Sequence, residues 1–179
     1  MARRAPGKNK MSTARSEKDA FEVQSGFFNG HTTGTPLCAI IRNSDQHSRD
    51  YDQLRHIMRP GHADYSGKIR YGGFNDYRGG GHFSGRLTAP LVFAGAVASQ
   101  ILARHGITVG SHILRLAGIA DKPFDAAGET ASTLQALKKE TLPVLDKAQA
   151  GPMEEKILEA KNDLDSVGGV IECMVTGLP

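Results

Sequence analysis

Between Arg59 and Ala89 the chain reads R-P-G-H-A-D-Y-S-G-K-I-R-Y-G-G-F-N-D-Y-R-G-G-G-H-F-S-G-R-L-T-A, with eight glycines, five arginines or lysines and two histidines in one polar segment. Guanidinium forks bind phosphate or carboxylate oxygens two at a time, so Arg59, Arg78 and Arg86 are candidate anion ligands. Imidazole titrates near neutral pH and suits proton transfer, although a lone loop histidine such as His62 is by itself more often structural; His82 and Arg78 flank the glycines. Gly79, Gly80 and Gly81 remove three consecutive side chains, so the backbone there is free to reach positive φ and approach a ligand closely. Ser84 and Thr88 precede an apolar run, so an anion at the glycines would face the N-terminus of a helix. No Gly-Lys-Ser/Thr follows the glycines and no G-x-G-x-x-G joins a strand to a helix, which excludes the two common phosphate-loop motifs.

The elements that must position this segment are legible on both sides of it. Ala20 to Gly26 alternates apolar and polar residues and Pro36 to Arg42 is a short apolar run. With a turn-rich connector between them, they predict an antiparallel ribbon. Asn43 to Met58 is polar, without a sustained period, and leads into the candidate site. Leu87 to His105 predicts a helix stopped by Gly106, apolar or small on nearly every side and therefore buried on more than one face. Ile107 to Ile119 predicts a strand, with a proline-containing turn at Asp121 to Asp125. Lys138 to Ala150 and Met153 to Leu164 have helical spacing, and Gly169 to Thr176 predicts a final strand.

At 39% hydrophobic and 23% charged residues, the chain of 179 residues has the composition of an ordinary globular domain. Basic residues gather early, at Arg3, Arg4, Lys8, Lys10, Arg15 and Lys18, and residues 1–19 read as a solvated basic arm. Cys38 and Cys173 lie in apolar runs without zinc-ligand spacing, so no metal is expected and both read as buried thiols in a reducing compartment. No apolar leader opens the chain, and Gly95, Ser99 and Gln100 interrupt the longest apolar run, which predicts no membrane association. The compartment expected is the cytoplasm, or an organelle stroma. Tyr65, Tyr71 and Tyr77 among arginines support a second reading, a non-catalytic basic loop module that binds nucleotides or nucleic acid. The lack of a recognisable nucleic-acid module favours a small anionic ligand instead. A third reading is an enzyme-derived fragment with only a structural role.

The pairing of R-P-G-H-A-D-Y with D-Y-R-G-G-G-x-x-S-x-R-x-T-A resembles chorismate synthase, and so do R-R-x-P-G and S-T-x-R-x-E-x-D near the start and D-S-x-G-G near the end. The resemblance implies conversion of 5-enolpyruvylshikimate 3-phosphate to chorismate by trans-1,4-elimination of phosphate, dependent on reduced FMN, in aromatic amino acid biosynthesis. It implies an α+β fold of antiparallel β-sheets packed around a layer of long helices, and a homotetramer. On this resemblance residues 1–179 are one partial domain, with an active-site loop at 59–89 and a central helix at 87–105. His62 matches a catalytic histidine, His82, Phe83 and Ser84 match FMN contacts and Arg86 a phosphate partner, while the forks of Arg59, Arg78 and Arg86 suit an anionic substrate. Arg4 and Lys10 match positions assigned to NADPH or to substrate anions. Where many members have R-S-S-A-R-E-T, this chain has H-F-S-G-R-L-T. The family's G-E-S-H-G motif is absent, and its C-terminal half has no counterpart, so the chain reads as a fragment of weak or no activity by itself.

Overall fold

The computed structural model describes residues 1–7, 9–12, 18–43, 51–52 and 56–179. Lys8, Arg15 and most of the polar segment before the candidate site lie outside the described residues. Helices and antiparallel sheets are combined in an α+β chain, which divides into two compact units, residues 1–8 with 13–94 and residues 9–12 with 95–179.

In the first unit, β1 (Phe21–Ser25) pairs antiparallel with β4 (Cys38–Ile41), as the alternation predicts. Between them β2 (Phe27–Phe28) and β3 (His31–Thr32) close a hairpin around Asn29 and Gly30. Both turn residues have positive φ, 48° and 80°, the conformation that suits the right-handed twist of a two-residue hairpin. Glu22 and Arg42 form a bidentate pair across the β1–β4 ribbon, at 3.0 and 3.3 Å. The candidate site segment is not an irregular loop throughout: it folds into α1 (Asp64–Arg70) and two 3₁₀ turns, Arg78–Phe83 and Gly85–Leu87. Between Gly61 and Gly72 the run D-Y-S-G-K-I-R forms a short helix in spite of Gly67, with Asp64 in the first turn and Lys68 and Arg70 in the last, as the helix dipole favours.

Helix α2 (Thr88–Arg104) forms where its apolar run predicts, and His105 and Gly106 end it with backbone bonds back to Leu102 and Ala103. Its expected burial on several faces is not found: Ala89 alone is buried, and Leu91 and Ile101 are 70% and 56% exposed. Apolar composition records a preference for cover, and the described residues leave much of this helix open. The stretch Gly85–Arg104 is also long and apolar enough, by length and composition alone, to cross a membrane. The interruptions at Gly95, Ser99 and Gln100 are thus weaker than expected, because small residues cost little and the Gln100 amide donates to the Ala96 carbonyl within the helix.

The second unit is built on β5 (Thr108–Leu116), the middle strand of the order β6-β5-β7, where β6 is Ile119–Ala120 and β7 is Gly169–Thr176. Two clusters form its core. Ile113, Val144 and Met153 meet in one, and Phe124, Leu134 and Leu137 in the other. Leu134, Leu137 and Met153 come from α3 (Ala131–Leu137) and α4 (Ala150–Asn162), of which α3 opens on a Thr130 side chain that accepts from the Thr133 N–H at 3.1 Å. The helix expected over Lys138 to Ala150 is not formed, apart from a 3₁₀ turn at Lys147–Gln149. Proline at 143 has no N–H to give, its carbonyl accepts from Ile113 N–H at 2.8 Å, and the N–H groups of Leu145 and Asp146 go to the Asp121 carboxylate. Tertiary partners have replaced the helical ladder. Both cysteines are free and exposed, contrary to expectation, because Cys38 lies on a two-stranded ribbon and Cys173 on the open face of β7.

Beneath this sheet lies a buried polar group that apolar patterning does not reveal. His112 is fully buried, with Nδ1 2.9 Å from Asp121 Oδ2, Nε2 2.9 Å from Glu172 Oε2 and the Phe124 ring 4.4 Å away. Only an imidazolium donates from both nitrogens, so the geometry calls for the charged form between two carboxylates. Burial opposes the charge on Asp121, but N–H groups of Asp146, Leu145 and Lys122 together with His112 outweigh it and hold the carboxyl below its usual range. Glu172 is lowered by His112 first and by the Phe124 N–H second. Both groups bind protons less readily folded than unfolded, so their contribution is complete above the unfolded carboxylate value, about pH 4, and is lost as pH falls through the folded values. His112→Ala, which takes one partner from the buried Asp121 carboxylate and leaves its N–H donors, is expected to destabilise the second unit by about 1 to 3 kcal/mol at pH 7. In urea melts the difference between wild type and variant should shrink between about pH 4 and pH 2; a constant difference over that range would remove the charge argument.

Candidate active site

The R-P-G-H-A-D turn closes on itself. Asp64 accepts from Arg59 three times, from the backbone N–H at 3.1 Å, from Nε at 2.8 Å and from Nη2 at 3.0 Å. The Arg59 guanidinium thereby holds the Asp64 carboxyl below its usual range against the opposing effect of burial. It also lies 5.8 Å from the centre of the Tyr51 ring. His62 stands exposed at the tip of this turn, its Nδ1 3.1 Å from the Pro60 carbonyl. A carbonyl only accepts, so Nδ1 carries the hydrogen, which leaves Nε2 as the ring atom at which a proton would be exchanged.

A second carboxylate organises the glycine turn. Asp76 Oδ1 accepts from the Arg78 N–H at 3.0 Å and from its Nε at 2.8 Å, and Oδ2 accepts from Nη2 at 2.8 Å. Gly79, Gly80 and Gly81 follow with φ of 63°, 81° and 49°, the positive values their sequence predicts. At Gly81 a β-carbon would collide with the Asp76 carbonyl oxygen, whereas at Gly79 it would meet nothing within 4 Å and at Gly80 only the Ser84 β-carbon at 3.8 Å. The chain packs against itself at the third glycine and leaves the first two open to an approaching ligand. Phe83 anchors the far end, its ring lying so close over Gly67 of α1 that a β-carbon there would come within 2.7 Å, and 6.2 Å from the Tyr71 ring centre. Ser84 then turns the chain into the helix, its Oγ accepting from the Arg86 N–H at 3.3 Å.

A cavity of about 200 Å³ gathers Arg78, Gly79, Gly81, Ser84 and Arg86, with Asn43, Tyr51 and Asp76 also in its wall. Two guanidinium side chains, a hydroxyl and accessible glycine backbone match the donor set of a phosphate group, so these residues fit the phosphate end of a flavin nucleotide or a phosphorylated substrate. A larger cavity of about 250 Å³ contains Lys68 and an Asp64 already paired with Arg59, a less cationic lining. Among the described residues, no group of three His, Cys, Asp or Glu side chains is arranged to hold a metal ion.

The remaining sequence candidates lie elsewhere. His62, His82, Phe83 and Arg59 do not line the smaller cavity. Arg4 pairs with buried Asp19 and donates to Thr88 Oγ1 at 3.3 and 3.4 Å, tying the N-terminal arm to the start of α2. Lys10 belongs to the second unit, where its backbone carbonyl accepts from Lys161 Nζ at 2.7 Å. Sequence reasoning passed over Asp76, although an aspartate two residues before an N–H donor is the signal of a side-chain-closed turn. Asn43 and Tyr51 carried no such signal.

Comparison with known proteins bears on this geometry. The family model for chorismate synthase matches residues 1–179. The chain belongs to the chorismate synthase family. Among its relatives, the chorismate synthase of Sulfurimonas denitrificans is 44% identical over 177 residues, which cover 99% of this chain and 47% of that protein. The chorismate synthase of Methanosarcina acetivorans is 41% identical over the same length, with the same coverage. A crystal structure of chorismate synthase aligns with a TM-score of 0.61 at 26% identity, over 90% of this chain and 44% of that one. The chain thus spans about half the length of the curated chorismate synthases it matches. These matches agree with the α+β fold and do not favour the nucleic-acid reading.

The glycine turn is open to a direct test. Gly81→Ala places a side chain at φ 49° and ψ −127° against the Asp76 carbonyl, so the turn is expected to open at a cost of about 1 to 3 kcal/mol. Amide hydrogen exchange over residues 79–86 should accelerate at least roughly tenfold while far-ultraviolet circular dichroism stays constant. Unchanged exchange would mean that the contact is not what shapes the turn.

Proposed function

We propose that this chain carries the phosphate-binding and proton-transfer part of a chorismate synthase site, acting in the trans-1,4-elimination of phosphate from 5-enolpyruvylshikimate 3-phosphate. The observation that carries the reading is the cavity in which Arg78, Ser84 and Arg86 meet a turn of three positive-φ glycines. Reduced FMN, when bound, supplies transient electron density to the allylic system as phosphate leaves, which suits a reaction without net redox change. Arg78 and Arg86 hold the anionic oxygens of a phosphorylated ligand, and Ser84 adds a hydroxyl donor. The open backbone at Gly79, in the cavity wall, admits that ligand closely. His62 accepts a proton at Nε2, its ring fixed by the Nδ1–H bond to Pro60. Arg59 shapes the turn that presents His62, through its bidentate hold on Asp64.

Arg4, engaged by Asp19 and Thr88, keeps a structural part in this reading. NADPH enters only as a source of reducing equivalents. His82 and Phe83 border the flavin rather than bind its phosphate. The assembly proposed is a homotetramer, the activity that of a carbon–oxygen lyase in aromatic amino acid biosynthesis, and the compartment the cytoplasm.

The test is an anaerobic titration of the chain with reduced FMN, followed by a phosphate-release assay with the enolpyruvyl substrate beside a full-length relative. Reduced FMN should bind, and turnover should fall at least about a hundredfold below the relative, because groups that act as a unit lose most of the rate when some are absent. Absence of flavin binding would overturn the reading. Arg86→Lys keeps the charge but loses the planar fork, so affinity for FMN is expected to weaken by roughly 1 to 3 kcal/mol at fixed salt. Equal affinity of the two proteins would show that Arg86 is not a phosphate ligand.

A further inference from the structure

Asp76 puts a negative charge into the wall of a cavity otherwise lined for anions. Its carboxylate covers the Nε and Nη2 edge of Arg78, the edge that presents two parallel N–H groups to an incoming oxyanion. The pair is half exposed, at 50% for Arg78 and 52% for Asp76, so water competes for it and its opening costs little. The Arg78 bond is also the largest influence holding the Asp76 carboxyl below its usual range, so it is ionised at neutral pH. Separately from the pair, Oδ1 accepts from the Arg78 backbone N–H at 3.0 Å, a bond that shapes the turn and needs no charge. One side chain therefore does two things: its oxygen closes a turn, and its charge occupies a guanidinium.

We propose that Asp76 is a built-in counter-anion, occupying Arg78 until a phosphate-bearing ligand displaces it and thereby setting the affinity threshold of the site. The proposal rests on the assignment of this cavity to phosphate. A phosphate dianion replaces the carboxylate because it brings more charge to the same two N–H groups and reaches Arg86 and Ser84 as well. The released carboxylate turns to solvent, and its remaining backbone bond keeps the glycine turn formed. Ligand affinity is lower than the donor set alone would give, by the free energy of the Asp76–Arg78 pair.

Asp76→Asn separates the two roles, since the amide oxygen still accepts from the Arg78 N–H while the charge is gone. Inorganic phosphate and FMN, titrated at pH 7.5 and constant ionic strength, are expected to bind roughly two- to fivefold more tightly to the variant than to the wild type. The Arg78 Nε–H resonance should move on phosphate saturation of the wild type and reach the same bound position in the variant. In a double-mutant cycle, Arg78→Gln should abolish the gain. Asp76→Glu, which restores the charge, should return affinity toward wild type. Phosphate binding by the wild type with equal or weaker binding by Asp76→Asn would overturn the counter-anion role and leave the site assignment standing. No phosphate binding by either protein would overturn both.

Discussion

The polar first unit depends on short-range pairing of carboxylates with guanidinium groups. A glycine-rich segment has few apolar side chains to bury, and its backbone entropy is high, so something local must hold it. Asp64 does so for the R-P-G-H-A-D turn through three bonds to Arg59, and Asp76 does so for the glycine turn through three bonds to Arg78. Arg4 and Asp19 repeat the device for the N-terminal arm. In each of the two loop pairs a backbone N–H of the arginine shares the carboxylate with its side chain. Charge and turn geometry are thus fixed together at Arg59 and Arg78.

The second unit solves the opposite problem. Its sheet and helices supply apolar side chains in quantity, yet at the centre lies His112 between Asp121 and Glu172. Asp121 also takes the N–H groups of Leu145 and Asp146, so one buried carboxylate joins β5 to the segment that would otherwise continue as a helix. Glu172 joins β7 to the Phe124 backbone in the same way. Exposed pairs such as Asp76–Arg78 open easily, whereas the buried His112–Asp121 pair resists separation because water does not reach it to replace the lost partner. The contrast suits a chain in which one region exchanges ligands and the other is a support.

Apolar surface is open in both units. Leu91 and Ile101 on α2 and Ile171 on β7 are all more than half exposed, although their types and spacing belong to a core. In the curated chorismate synthases this chain matches, the aligned region is about half the polypeptide.

Local rules were enough to read much of this protein from its residues. The antiparallel pairing of β1 with β4, the extent of α2, the final strand and the positive φ of Gly79 to Gly81 all follow from alternation, helical period and glycine chemistry, which act over a few residues. The motif R-P-G-H-A-D-Y with D-Y-R-G-G-G was specific enough to indicate the family, because it is long and unusual in composition. Tertiary structure decided what depends on distant partners. Whether residues 138–150 form a helix was settled by Asp121 and Ile113 taking the backbone groups that a helix would need. The exposure of Cys38, Cys173 and α2 depended on what packs over them, which periodicity does not encode. His112 was likewise silent in the sequence, since a lone titratable residue gains its meaning only from the groups that the fold sets opposite it.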